Sequence, residues 1–78
     1  MAGPIPPAGP HHGRVASFDG FRGLGEVREA DGTAYPFHAT AIADGSRTID
    51  PDTPVTFLVA PAHRGRYEAR ALSPDQPA

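Results

Sequence analysis

Four histidines, seven arginines and six aromatic rings are the side chains of this chain with the chemistry to bind or react. His11 and His12 stand side by side and offer imidazole nitrogens to a metal ion. No further ligand lies at the helical or hairpin spacing that a metal site needs, so the pair reads as polar residues of a terminal tail. His38 and His63 could exchange a proton with a substrate only if the fold brought them together. Ser17, Ser46 and Ser73 have no histidine and acid arranged around them for nucleophilic attack, and Gly23-Leu24-Gly25 is too short for a phosphate loop. Asp50-Pro51-Asp52 reads as a turn, because one carboxylate pair without further oxygen ligands does not make a calcium loop. No catalytic constellation emerges, and the expectation is a protein that is not an enzyme, with no cofactor, no metal and no small-molecule substrate.

The remaining chemistry is binding chemistry. Phe18, Phe21, Arg22, His38, Arg47, His63, Arg64, Arg66 and Tyr67 form a scattered set of rings and cations. Arginine forks and exposed rings suit phosphates and bases, and they also mark protein interfaces. The formal charge of −2 argues mildly against a dedicated nucleic-acid binder, which is usually basic.

Short strands must carry these residues. Ten prolines and nine glycines in 78 residues favour brief elements separated by many turns. Val15 and Phe18 lie in a first run that ends at Asp19-Gly20. Leu24 to Arg28 forms a second, closed by Asp31-Gly32, a strong hairpin signal. In Thr33 to His38, Tyr35 and Phe37 alternate with polar or small neighbours, the period-2 pattern of a half-buried strand. Pro36 has no N–H, so its position must be at an edge, at a bulge, or facing away from the ladder. After an irregular connection pinned by Ala41, Ile42 and Ile49, Val55, Phe57 and Val59 give the clearest alternation in the chain. A turn through Pro61 to Gly65 leads to the last run, Arg66 to Leu72. No stretch keeps a 3.6-residue period. The expected fold is all-β, a five-stranded antiparallel OB-type barrel spanning residues 13–72. A disordered Pro/Gly-rich tail is expected over residues 1–12 and another over 73–78.

The order of these pieces is similar to that of the bacterial cold-shock proteins. Gly13-Arg14-Val15, Phe18-Asp19 and Arg22-Gly23-Leu24-Gly25-Glu26-Val27 follow the opening hairpin of a cold-shock domain. Tyr35-Pro36-Phe37-His38-Ala39-Thr40-Ala41-Ile42 resembles the family's second nucleic-acid motif and keeps its histidine as His38. Gly45-Ser46-Arg47-Thr48-Ile49 resembles the following loop, Val55-Thr56-Phe57 the fourth strand, and Arg64-Gly65 through Ala69 to Leu72 the closing one, with one residue inserted near Arg66. The resemblance implies a cold-shock-like barrel that contacts single-stranded RNA or DNA in gene-expression regulation.

Departures from the family pattern fall on one face. The family binds single strands by stacking bases on rings, each worth about 1–3 kcal/mol. The ring positions correspond here to Ser17, Leu24, Glu26, Pro36, Ala39 and Ser46. Inward positions keep their apolar character: Val15, Val27, Tyr35, Phe37, Ile42, Val55, Phe57, Val59 and Leu72. Glu26 places a carboxylate in the middle of a phosphate-tracking groove unless Arg22 or Arg28 pairs with it.

Two functions follow as expectations. The first is weak contact with single-stranded nucleic acid through Phe18, Arg22, His38, Arg64 and Arg66. The second is a protein-interaction module using Ser17, Phe21, Leu24, Glu26, Pro36 and Tyr67, with Phe21 folded over the barrel end as its structural alternative. The chain has no cysteine for disulfides or thiolate sites and no apolar run near the roughly 20 residues of a membrane span, so cytoplasmic residence is expected, with no membrane partner.

Overall fold

In the computed structural model, which describes residues 6 and 8–75, five strands form one antiparallel sheet. They are β1 (His11–Asp19), β2 (Leu24–Glu29), β3 (Ala34–His38), β4 (Pro54–Pro61) and β5 (Tyr67–Pro74), ordered β3-β2-β1-β4-β5. Only two single-turn 3₁₀ segments, Ala39–Ala41 and His63–Gly65, interrupt the extended chain among the described residues. The all-β, five-strand expectation holds, and Pro36 sits on an edge strand, where its missing N–H costs no ladder bond.

β1 is long enough to serve two ladders. His11 to Arg14 pair with Phe57 to Pro54 of β4, while Gly13 to Asp19 pair with Glu29 to Leu24 of β2. Between Val15 and Ser17 the β1–β2 register slips by one residue, leaving Ala16 as a bulge. A bulge resets the alternation. Val15 and Phe18, three residues apart, therefore both point inward, and Ser17 points out. A second slip lies opposite Phe57, where β5 carries an extra residue at Ala71, whose φ of 52° is left-handed.

The turns follow from local carboxylates. Asp19 accepts hydrogen bonds from the N–H groups of Phe21 (3.0 Å) and Arg22 (3.2 Å), and Asp31 accepts one from Thr33 (2.8 Å). Such bonds mimic a backbone turn. Those to Thr33 hold the Asp31 carboxyl below its usual range, and those to Ser46 do the same for Asp44.

The core collects Val15, Val27, Tyr35, Phe37, Ile42, Ile49, Val55, Phe57, Ala69 and Leu72, with Phe18, Ala41, Val59 and Tyr67 packed against it. Of the apolar residues assigned inward from sequence, Val59 alone is half-buried and the rest are buried. Ile42 and Ile49 do pin the connection between β3 and β4.

Three expectations need correction. Barrel closure is not seen: β3 and β5 are the two edges of the sheet and lie close to each other without a ladder. Among the described residues the backbone pairing at their seam is one parallel bridge between Ile42, just beyond β3, and Leu72, with the bond from Ala43 N–H to the Leu72 carbonyl (2.8 Å). The ordered region starts earlier than residue 13, because His11 and His12 are the first residues of β1. It also ends later than residue 72: β5 runs to Pro74, and Asp75 donates its N–H to the Pro54 carbonyl (2.8 Å). The rest of the tail expectation falls partly on residues 1–5, 7 and 76–78, which lie outside the described residues.

Candidate functional site

The register of β1, β2 and β3 builds an outward face in three cross-strand rows. Arg14, Arg28 and Ala34 make the first, Ser17, Glu26 and Pro36 the second, and Asp19, Leu24 and His38 the third. The sheet thus brings Ser17, Leu24, Glu26, Pro36 and His38 onto one face. Glu26 occupies the middle of the central row and pairs with Arg28 at 3.3 Å, one of the two local partners foreseen for it. Arg28 is exposed and Glu26 half-exposed, so water screens the pair and it is worth less than about 1 kcal/mol.

Phe18 lies on the other side of the sheet. It is in the row Phe18–Gly25–Phe37, and its ring lies parallel to that of Phe37 with centroids 5.9 Å apart. The bulge at Ala16 puts it there, so its ring serves the core margin and not the outward face. Phe21, by contrast, is 99% exposed at the tip of the β1–β2 turn and does not fold over the end of the sheet. Arg22 follows it, 3.8 Å from the Asp19 carboxylate, and Leu24 is 50% exposed nearby in sequence.

His38 is held in one orientation. Its Nδ1 accepts the Thr40 backbone N–H at 3.2 Å and lies 3.1 Å from the Thr40 hydroxyl. A ring nitrogen that accepts an N–H carries no proton, so the neutral ring bears its proton on Nε2 and can donate from there. The ring sits beside Gly23, at the same end of the sheet as Phe21 and Arg22.

Arg64 and Arg66 are elsewhere. They belong to the β4–β5 connection, whose Tyr67 lines a cleft with Asp31, Thr33 and Tyr35, at the opposite end of the β1–β2 ladder from Arg22. His63 shares that connection, so His38 and His63 do not form the proton-transfer pair considered from sequence. The guanidinium groups of Arg47, Arg64 and Arg66 make no hydrogen bond or ion pair among the described residues. Tyr67 is half-buried against the core margin, filling a gap as an edge-strand ring.

The same cleft contains a polar cluster that sequence reading missed. His11 is 6% exposed, stacked on Phe57 (centroids 5.6 Å apart, planes at 23°) and edge-on to Tyr35 at 6.0 Å. Its Nδ1 lies 3.1 Å from the Glu29 carboxylate. Burial, reinforced by that carboxylate, pushes the Tyr35 phenol above its ordinary value. The signal was present: His11, Gly13 and Val15 share one phase of the alternation. The surrounding Pro/Gly composition masked it. No group of three or more histidine, aspartate or glutamate side chains could hold a metal ion among the described residues. No helix of the described residues is long and apolar enough to cross a membrane.

Comparison with models of known protein families and with curated protein sequences gives no match.

Proposed function

We propose that the chain is a non-catalytic, cytoplasmic binding domain of OB type, akin to a cold-shock domain, that contacts single-stranded RNA or DNA weakly and takes part in gene-expression regulation. The strand order, with β1 shared between β2 and β4 and the Ile42–Leu72 bridge at the seam between β3 and β5, supports the OB-type arrangement. The observation that carries the functional reading is the β1–β2 turn: Phe21 stands fully exposed beside Arg22, at the end of the sheet where the His38 ring is fixed. A ring, a cation and an oriented imidazole N–H are the groups that stack on and bond to an unpaired base. Arg64 and Arg66, whose guanidinium groups are unengaged among the described residues, add phosphate contacts from the β4–β5 connection.

With no ring in the row Ser17–Glu26–Pro36, affinity comes mainly from charge. Binding should then be weak, nearly indifferent to base, and steeply salt-dependent, with a log–log slope of about −0.7 per phosphate engaged. Titration of labelled pyrimidine-rich and mixed oligonucleotides at low and physiological salt tests this. Binding at low salt that F21A weakens and R64E/R66E weakens further is the expected result. No binding at low salt refutes the reading.

A second reading is favoured by the same ringless row. Glu26 at its centre repels a phosphate backbone, while Leu24 and Phe21 expose apolar surface beside it. A protein partner would use Ser17, Phe21, Leu24, Glu26 and Pro36; Tyr67, packed against the core margin at the other end of the sheet, takes no part in that surface. Under this reading alanine substitutions at these positions abolish partner capture and leave the fold intact.

A further inference from the structure

We infer that the outer face of β1 and β2 carries a phosphate-binding cleft built on Arg14 and Arg28. The two arginines are direct cross-strand partners, and Arg28 has only the small Ala34 on its other side. Like charges placed directly opposite each other in an antiparallel pair destabilise the sheet. An anion between the guanidinium forks turns that repulsion into attraction, and two forks suit the oxygens of a phosphate group.

Its surroundings fit the same chemistry. A cleft of about 540 Å³ opens beside the pair, with His12 on its rim. His12 and Arg14 are both exposed, two residues apart and so on the same side of β1. The acidic residues lining the cleft are Glu29 and Asp52. Glu29 belongs to the inward phase of β2, and its carboxylate lies against His11. Asp52 offers Arg14 a backbone carbonyl, 2.9 Å from Nη1, which orients the guanidinium without neutralising it. Arg28 keeps one exposed ion pair, to Glu26. His12 Nδ1 lies 3.2 Å from the Thr56 hydroxyl, which itself donates to Asp75. Arg14 is therefore oriented without being neutralised, and an anion in the cleft competes with Glu26 for Arg28 across an exposed ion pair. It lies at the other end of the face from Phe21, Arg22 and His38 and does not depend on the nucleic-acid reading.

Inorganic phosphate is the first probe. At constant ionic strength it should raise the melting temperature of the wild-type chain by about 5–10 °C at ten times its Kd. It should also move the amide resonances of Gly13 and Arg28. R14Q/R28Q should lose both effects, while R22Q, at the far end of the sheet, should keep them. Phosphate also stabilises proteins by exclusion from their surface. An equal rise in wild type and R14Q/R28Q, with no resonance shift, overturns the inference. R14K/R28K, which retains charge and lacks the planar forks, should keep part of the response and guards against a folding defect in the Gln variant. Oligonucleotides with and without a 5′-phosphate separate the sources. Competition by the phosphorylated strand alone assigns the cleft to a strand terminus, competition by both assigns it to the phosphodiester backbone, and competition by neither leaves free phosphate compounds as the ligand.

Discussion

Replacing Gly25 with alanine tests how the core and the outward face are joined. Gly25 lies between Phe18 and Phe37 in the inward row, and the buried Phe37 ring crosses directly over it. A Cβ added there would stand 2.5 Å from Phe37 Cζ, 2.8 Å from Cε1 and 2.8 Å from the Ser17 carbonyl, where ordinary contact begins at 3.4 Å. The ring cannot swing away, because Phe37 is 2% exposed and Phe18 is stacked on it. Overpacking of this kind costs about 1–3 kcal/mol. Alanine returns about 0.5–1 kcal/mol, because glycine loses more chain entropy in a strand. With a locked ring and a backbone carbonyl both inside contact distance, the clash falls at the top of that range, so the net loss is about 2–2.5 kcal/mol, or roughly 8–20 °C in melting temperature for a domain this small. Thermal and urea unfolding followed by far-UV circular dichroism measure it. In an F37L background the same substitution should cost less, because the clashing ring edge is gone. An unchanged melting temperature, or an equal cost in both backgrounds, would refute the packing described for this row.

Gly13→Ala should be at least as harmful, since the new Cβ would run into the backbone carbonyl of Arg28, which no rotamer change can move; denaturant midpoints compare the two. Ala71→Gly should instead stabilise the chain by up to about 1 kcal/mol, because alanine occupies a left-handed bulge position suited to glycine. Asp31 and Asp44 have carboxyls lowered in the folded state, so their contribution is present above the unfolded value of 3.8 and is lost as pH falls through the folded one; D31N/D44N should flatten acid unfolding below about pH 4. Tyr35 is raised above 10.0, so stability is full below that value and falls as pH rises past it; Y35F should remove that alkaline loss in a pH-dependent melting series.

Much of the architecture was legible because it is written in alternation and turn chemistry. Tyr35 and Phe37, Val55 and Phe57, and the Asp31-Gly32 turn placed β2, β3 and β4 to within a residue or so. The failures have a common origin in events that break period two. The bulge at Ala16 sent Phe18 inward, so a ring expected on the outward face lies at the core margin. The extra residue at Ala71 let β5 run on to Pro74, although composition suggested a fraying tail. His11 was hidden because a histidine after a Pro-rich stretch gives no hint of the Phe57 ring and Glu29 carboxylate that receive it. Ring closure was unreadable for another reason: it depends on how two edge strands meet, and no local pattern encodes that. On the face, the absence of rings from the Ser17–Glu26–Pro36 row was legible residue by residue. The pairing of Arg14 with Arg28 was not, since it needs the register.

β1 has to hold two neighbours at once, and they are made at different times. Its partner β2 emerges from the ribosome almost immediately, and the three-stranded meander of β1, β2 and β3 can assemble as soon as residue 38 is free. The ladder from His11 to Arg14 must wait for Pro54 to Phe57. Until then a meander of these three strands would present an unpaired edge of β1 and an uncovered side of Val15, Val27 and Phe37 to every neighbouring nascent chain. Long-range pairing of this kind slows folding toward milliseconds or seconds. The interval between those two pairings is the moment in the life of this chain when association with the wrong partner is easiest.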